Sequence, residues 1–207
     1  MKQLLLVIGV LFLFSACSSA GRDWEAQGGR FVHHKDAVIE RSELVVEVRA
    51  ENGSRSSLSA LCYPFFMEQT VSHPYETGRR LGAAFWGRWI QARLFPAMLF
   101  ADRKWPGKEE ALAQARQKNI DLLVCGQVVH FLSSGATGAT SLGLRVDIYD
   151  VKSGLPVWSL LQNGRIASAP DHDYIFVRER KRMPEAAEIP LITCLADSMA
   201  VPIRKWE

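Results

Sequence analysis

The chain has 207 residues, 48% of them hydrophobic and 23% charged, with 25 Lys and Arg against 22 Asp and Glu and a formal net charge of +3. That length suits one domain with a substantial core and is short for two. So even a balance of charge argues against a global nucleic-acid footprint, and nucleic acid is not an expected partner.

At the N-terminus, Lys2 supplies a short positive region, and Leu4 to Phe14 (LLLVIGVLFLF) form an almost unbroken apolar run of 11 residues. A membrane-spanning helix needs about 20 predominantly apolar residues, so the run reads as a secretory signal that is removed. Phe14-Ser15-Ala16-Cys17 resembles the bacterial lipobox, in which an apolar residue and two small ones precede the cysteine that receives diacylglycerol. The resemblance implies a signal peptide over 1–16, cleavage before Cys17, and a membrane partner reached through lipid on Cys17. An ordinary cleaved signal with an incidental cysteine is the alternative. One acyl chain holds a protein only marginally, at about 0.8 kcal/mol per buried methylene, whereas several hold it firmly. In the sorting pattern of such lipoproteins, Asp after the cysteine retains a protein at the inner membrane. Ser18 stands there instead, which implies the outer membrane, on its periplasmic face, in a Gram-negative cell.

Residues 17–41 lack apolar periodicity and read as a flexible tether to a single domain over 42–207. Leu44 to Val48 is β-branched and strand-like, and Glu51-Asn52-Gly53-Ser54 is a turn signal before a second strand from Leu58 to Phe66, which together suggest a hairpin. From Tyr75 to Leu94, the residues Leu81, Phe85 and Trp89 recur at spacings of four, as on one face of a helix. Met98 to Ala101 reads as a short strand, and Pro106-Gly107 leads into a helix from Lys108 to Lys118 with Ala111, Leu112 and Ala115 on one side. Asp121 to Leu132 (DLLVCGQVVHFL) is apolar enough for a central strand buried on both faces. After a loop from Ser133 to Ser141, Leu142, Leu144, Val146 and Ile148 alternate with Gly143, Arg145, Asp147 and Tyr149, the pattern of a strand covered on one face. Asp150 to Gly154 turns this strand into Leu155 to Leu161 as a hairpin. A last apolar stretch, Pro190 to Met199, is helical and stops near Pro202. The expected class is α/β (α+β-like): a mixed sheet of about five strands with helices packed against it.

Three segments in this order carry a resemblance. Leu61-Cys62-Tyr63-Pro64-Phe65 resembles the strand ending in Pro-Phe that opens the curli-secretion lipoprotein superfamily. Ala115 to Gly126 is similar to that family's segment of Ala, a short gap, Gly-Ala-Asp, an apolar strand and Gly, with Asn119-Ile120 standing where Gly-Ala is usual. Asp150 to Ser159 (DVKSGLPVWS) resembles its hairpin of Asp, turn, Ser-Gly, strand and Trp. Relatives of the family include periplasmic lipoproteins of exopolysaccharide export and lipoprotein activators of peptidoglycan synthases. The resemblance covers roughly 57–162 and implies an oligomer-forming accessory of secretion or surface-polymer export. It does not imply a pore, because the curli channel builds its barrel from long amphipathic inserts. No paired stretches of about ten alternating residues occur here.

Residues able to carry chemistry are sparse. Of the histidines, His33-His34, His73, His130 and His172, none belongs to a ligand set, and Asp171-His172-Asp173 would need further donors to close a metal site. No nucleophile signature is present, and Gly135-Ala136-Thr137-Gly138 lacks the Lys of a phosphate loop. No catalytic residue, metal or cofactor is therefore assigned. Beyond Cys17, the odd set Cys62, Cys125 and Cys194 permits at most one internal disulfide, and their apolar settings favour buried thiols.

Two surfaces are candidates for a partner. One is the aromatic helix, if core packing leaves part of Phe85, Trp86, Trp89 and Ile90 outward. The other is the basic run Arg178-Glu179-Arg180-Lys181-Arg182, in which Arg178, Arg180, Lys181 and Arg182 could meet phosphates or an acidic glycan, or form a solvated loop. The expectation is a non-enzymatic, outer-membrane-anchored assembly component that forms a homo-oligomer or binds an envelope protein. A glycan- or peptidoglycan-binding module is the alternative.

Overall fold

The computed structural model describes residues 31–34, 36–51, 55–135, 138–168, 172–173, 178–179 and 183–206. In chain order its strands are β1 (Phe31–His34), β2 (Ala37–Arg41), β3 (Val45–Val48), β4 (Ser59–Cys62), β5 (Phe66–Met67), β6 (Ala97–Phe100), β7 (Leu122–Leu132), β8 (Thr140–Asp150), β9 (Pro156–Ser168), β10 (His172–Asp173) and β11 (Arg178–Glu179). The helices are α1 (Pro74–Gln91), α2 (Lys108–Gln117) and α3 (Glu188–Arg204). No helix among the described residues is long and apolar enough to cross a membrane.

Among the described residues, nine strands form one mixed sheet in the order β1-β2-β9-β8-β7-β4-β6, with β3 also paired to β9 and β5 to β7. The pairs among β4, β5, β6 and β7 are parallel, and the rest are antiparallel. Connection rules explain where the first two helices go. From β4 the chain crosses through α1 to β6 on one side of β4, then through α2 to β7 on the other side. Right-handed crossovers in opposite directions require helices on opposite faces. Accordingly α1 joins α3 over Cys62, Leu122, Val124, Leu144, Val146 and Trp158, while α2 packs through Ala111, Leu112 and Ala115 on Leu61, Tyr63 and Leu123.

The mixed sheet with packed helices is as expected, but its extent and several connections differ. Nine strands replace about five, because edge strands too short to show periodicity join the sheet. The expected hairpin between β3 and β4 does not form: β3 pairs with β9 and β4 with β6 and β7, in different parts of the sheet. β1 and β2 lie within the stretch read as tether, and Ala37 and Ile39 are buried, so the packed domain begins before residue 42. Burial on both faces of β7 holds for Leu122, Leu123 and Val124, where α2 covers the second face, and gives way to alternation beyond it. Helix α3 runs through Pro202 to Arg204; Pro202 removes one i→i−4 hydrogen bond near the helix end, a cost that the burial of Met199 and Ile203 on either side of it offsets.

Each resembling segment has a structural job. Phe65 packs edge-on to Phe85 and Trp86, at ring distances of 5.4 and 5.0 Å, and its N–H donates to the Gly78 carbonyl of α1 at 3.1 Å. Asp121 accepts from the Ser59 amide at 2.9 Å and from its hydroxyl at 2.8 Å, joining the starts of β7 and β4. These bonds, the amide foremost, hold its carboxyl below the usual carboxylate range. Asp150 accepts from the Ser153 amide and hydroxyl, each at 2.7 Å, and Gly154 takes the left-handed conformation that closes the turn. Trp158 is buried against Trp206.

Candidate functional site

Beyond α2, no helix among the described residues covers the face of the sheet opposite α1 and α3; the alternation of β8 turns Arg145 and Asp147 toward it, and Tyr149 toward the same face beside α2. A bulge between Val46 and Val48 aims Glu47 at this face, where it pairs with Arg145. The Ser159 hydroxyl lies 2.6 Å from Asp147 Oδ1 and 3.3 Å from Glu47 Oε2, so its single hydrogen serves Asp147 first. Burial raises the Asp147 carboxyl above its ordinary value, with Glu47 adding to the shift and Ser159 and Arg145 opposing it. Beside it, the Cys125 thiol is pushed up by burial and by Asp147. Tyr149 is pushed up to about 12, chiefly by burial, and Lys108 Nζ stands 4.6 Å over its ring.

This cluster fastens strands rather than activating a nucleophile. Ser159 faces two carboxylates and no histidine, and the Cys125 thiol stays protonated at neutral pH. Among the described residues, no group of three or more His, Cys, Asp or Glu is placed to hold a metal. A separate cavity of about 470 Å³ lies between β2 and the start of α3, lined by Ile39, Arg41, Ile189, Pro190, Cys194 and Asp197 among others. Asp197 there accepts from Arg88 Nε at 2.6 Å, an ion pair that joins α3 to α1.

The raised Asp147 pKa makes a testable contribution to stability. Relative to the unfolded chain, the folded domain holds this proton more tightly, so the contribution is complete below the ordinary carboxylate range. It is lost as pH rises through the raised value. The urea midpoint of Asp147→Asn is therefore expected to gain on wild type as pH climbs through that window. Parallel profiles for the two proteins would mean that the carboxylate is solvated.

By sequence, the chain matches no family model and no curated protein. In fold it is similar to PelC. The PelC dodecamer from Paraburkholderia phytofirmans aligns at a TM-score of 0.52 and 15% identity, over 81% of this chain and 97% of that one. A point variant of the same PelC, also a dodecamer, aligns at 0.50 and 13%, over 83% and 99%. Lipoprotein GNA1162 from Neisseria meningitidis lies further off, at 0.40 and 11%, over 70% and 99%. The PelC likeness agrees with the expected architecture, a mixed sheet with packed helices, and at these identities it is a likeness of fold.

Of the residues singled out in the sequence, most of the aromatic helix is withdrawn as a partner surface. Phe85, Trp86 and Trp89 are all buried, and the indole N–H groups of Trp86 and Trp89 donate to the carbonyls of Tyr63 and Ala196 at 2.8 and 2.9 Å. The reason is that α1 is gripped by the sheet on one side and by α3 on another, so its apolar stripe is wider than one contact would bury. Ile90 alone of the four is exposed, at 48%. A glycan platform on those rings is withdrawn with them. In the basic run, Arg178 and Glu179 form β11, paired antiparallel to His172 and Asp173 of β10. Arg180, Lys181, Arg182, Cys17 and Asp171 lie outside the described residues.

His130 sits 3.1 Å from the Ser141 hydroxyl, and His73 leads into α1 in a left-handed conformation without a side-chain capping bond. Cys62, Cys125 and Cys194 are free thiols, with Cys62 fully buried. The cluster around Asp147 escaped sequence reading in part. The alternation of β8 already set Arg145 and Asp147 on its uncovered side, and Ser159 lies opposite Asp147 across the β8–β9 hairpin, but Glu47 joins them only through a pairing 112 residues long.

Proposed function

We propose that this protein is an envelope lipoprotein, held on the outer membrane through lipid on Cys17. Its domain assembles with copies of itself as a non-enzymatic component of secretion, envelope biogenesis or surface-polymer export. One observation carries the reading: a lipobox-like leader, Phe14-Ser15-Ala16-Cys17, precedes a domain whose fold is similar over most of its length to a protein that forms a dodecamer. The polar cluster supports it too, since its carboxylates and hydroxyl fasten β3 to the sheet and leave no activated nucleophile.

The first test is the intact mass of the full-length protein from separated inner and outer membranes, beside Cys17→Ala. Wild type is expected in the outer-membrane fraction with a lipid-sized added mass that the variant lacks. A soluble, unmodified wild-type product would remove the anchor and the envelope role built on it.

A further inference from the structure

Strands β4, β6, β7 and β9 all begin at one end of the sheet, where β8 finishes and the turn of residues 151–155 carries the chain into β9. Helix α1 ends there because it leads into β6, and α2 because it leads into β7. α3 follows α1 in the same sense, since Arg80 pairs with Glu188 and, further along both helices, Arg88 pairs with Asp197. All three helices therefore finish at the end that holds the β8–β9 turn.

That end is basic. Arg93, Lys118 and Lys205 stand just past the three helices, Lys152 lies in the turn, and all four are exposed. The nearby acids Asp121 and Asp150 are engaged by Ser59 and Ser153, and Glu51, beyond β3, is matched by Arg49. Helix dipoles account for part of the pattern, because cations are favoured at C-termini. They do not account for Lys152, which is on a hairpin turn. Beside it Leu155, at 65%, is the most exposed large hydrophobic side chain among the described residues. Cations grouped with an outward apolar side chain suit a lipid surface, the charges meeting headgroup phosphates and the apolar group reaching the acyl boundary.

The course of the chain agrees. β1 runs against β2 and β2 against β9, so β1 points away from the basic end and is entered from that side. Phe31 is level with Glu40 and hence with Arg165, about 30 Å along β9 from Pro156. The stretch from Cys17 to Phe31 reaches at most about 50 Å when extended, enough to bring the anchor to the basic end.

We infer that the end of the domain bearing Lys152 and Leu155 rests on an anionic phospholipid surface, with Arg93, Lys118, Lys152 and Lys205 toward the headgroup phosphates. This deepens the anchored reading proposed above and rests on it.

The test uses the full-length chain purified from membranes and reconstituted into vesicles of phosphatidylcholine, alone or mixed with phosphatidylglycerol, with acyl chains brominated next to the headgroup. Leu155→Trp is expected to add a fluorescence that the bromines quench on the mixed vesicles. Glu76→Trp, in the first turn of α1 at the other end, is expected to add one that they do not quench. A lysine near an anionic surface favours the docked state roughly fivefold, so Lys118→Gln with Lys152→Gln in the Leu155→Trp chain should lower the docked-to-free ratio roughly 25-fold. The quenching should then be lost while the urea midpoint stays in place. Equal quenching at positions 155 and 76, or quenching at 155 that ignores both phosphatidylglycerol and the two lysines, would overturn docking by this end. A chain that carries the lipid-sized mass yet is unquenched at 155 would overturn it and leave the anchor standing. A chain without that mass would overturn both.

Discussion

Gly78→Ala is expected to destabilise the domain by about 3 kcal/mol, at the upper end of the cost of overpacking a well-filled site. A Cβ at that position would lie 2.0 Å from the Phe65 carbonyl oxygen, a backbone atom of the segment between β4 and β5. No rotamer change can relieve that contact; helix α1 itself must lift from the sheet. Lifting it stretches the Phe65 N–H bond to the Gly78 carbonyl and loosens the contacts of Phe65 with Phe85 and Trp86. Helix propensity alone gives the opposite sign, since Ala is favoured over Gly by about 1 kcal/mol in a helix interior. Gly87, on the same helix, has nothing within 4 Å of a built Cβ. Gly87→Ala should therefore gain close to the propensity difference. Urea midpoints of the two variants beside wild type decide the matter, and two equal shifts would mean that α1 does not sit on Phe65.

Trp89→Ala should cost about 3–5 kcal/mol, the range for truncating a large buried aromatic. Trp89 is fully buried, packs against Phe85, Trp86 and Phe95 at ring distances of 4.8, 5.4 and 6.4 Å, and donates its indole N–H to Ala196 of α3. Removing it opens a cavity where α1, α3 and the sheet meet. Ile90→Ala, one residue on but exposed, should change stability by no more than about 0.5 kcal/mol. Thermal unfolding of both variants separates a core tryptophan from an interface one. A Trp89→Ala protein that melts with wild type yet no longer assembles would return the aromatic helix to the list of partner surfaces.

What could be read in the amino-acid order follows the range of the signal. α1, α2 and the β8–β9 hairpin were legible because their determinants are local: Leu81, Phe85 and Trp89 at spacings of four, the Pro106-Gly107 entry, the Asp150 to Gly154 turn. Strand β3 was visible from its valines, but its partner was not. A turn signal at Glu51 to Ser54 pointed to the next strand, and the true partner lies beyond two helices and five strands. β2 was lost for a similar reason, since Ala37 and Ile39 are only two buried positions and become a core face when β9 supplies Ile166 beside them. The aromatic helix shows the converse error. Periodicity revealed more apolar surface than one sheet contact needs, and α3, contributed from the end of the chain, accounts for the surplus. Arg145 and Asp147 were placed on an uncovered face by alternation alone, without the long-range partners that make them a cluster.

The pairing of β2 and β3 with β9 has a kinetic consequence. The Ser42 carbonyl accepts from Gln162 Nε2 at a separation of 120 residues, so β2 and β3 cannot dock until β9 has been made. Closing so long a loop is entropically costly, and the β7–β8–β9 meander with its helices can form without it. The docking of β2 and β3 on β9 is thus expected late in folding. In a protein delivered N-terminus first, β2 and β3 are made early yet find their places only after β9 has been made.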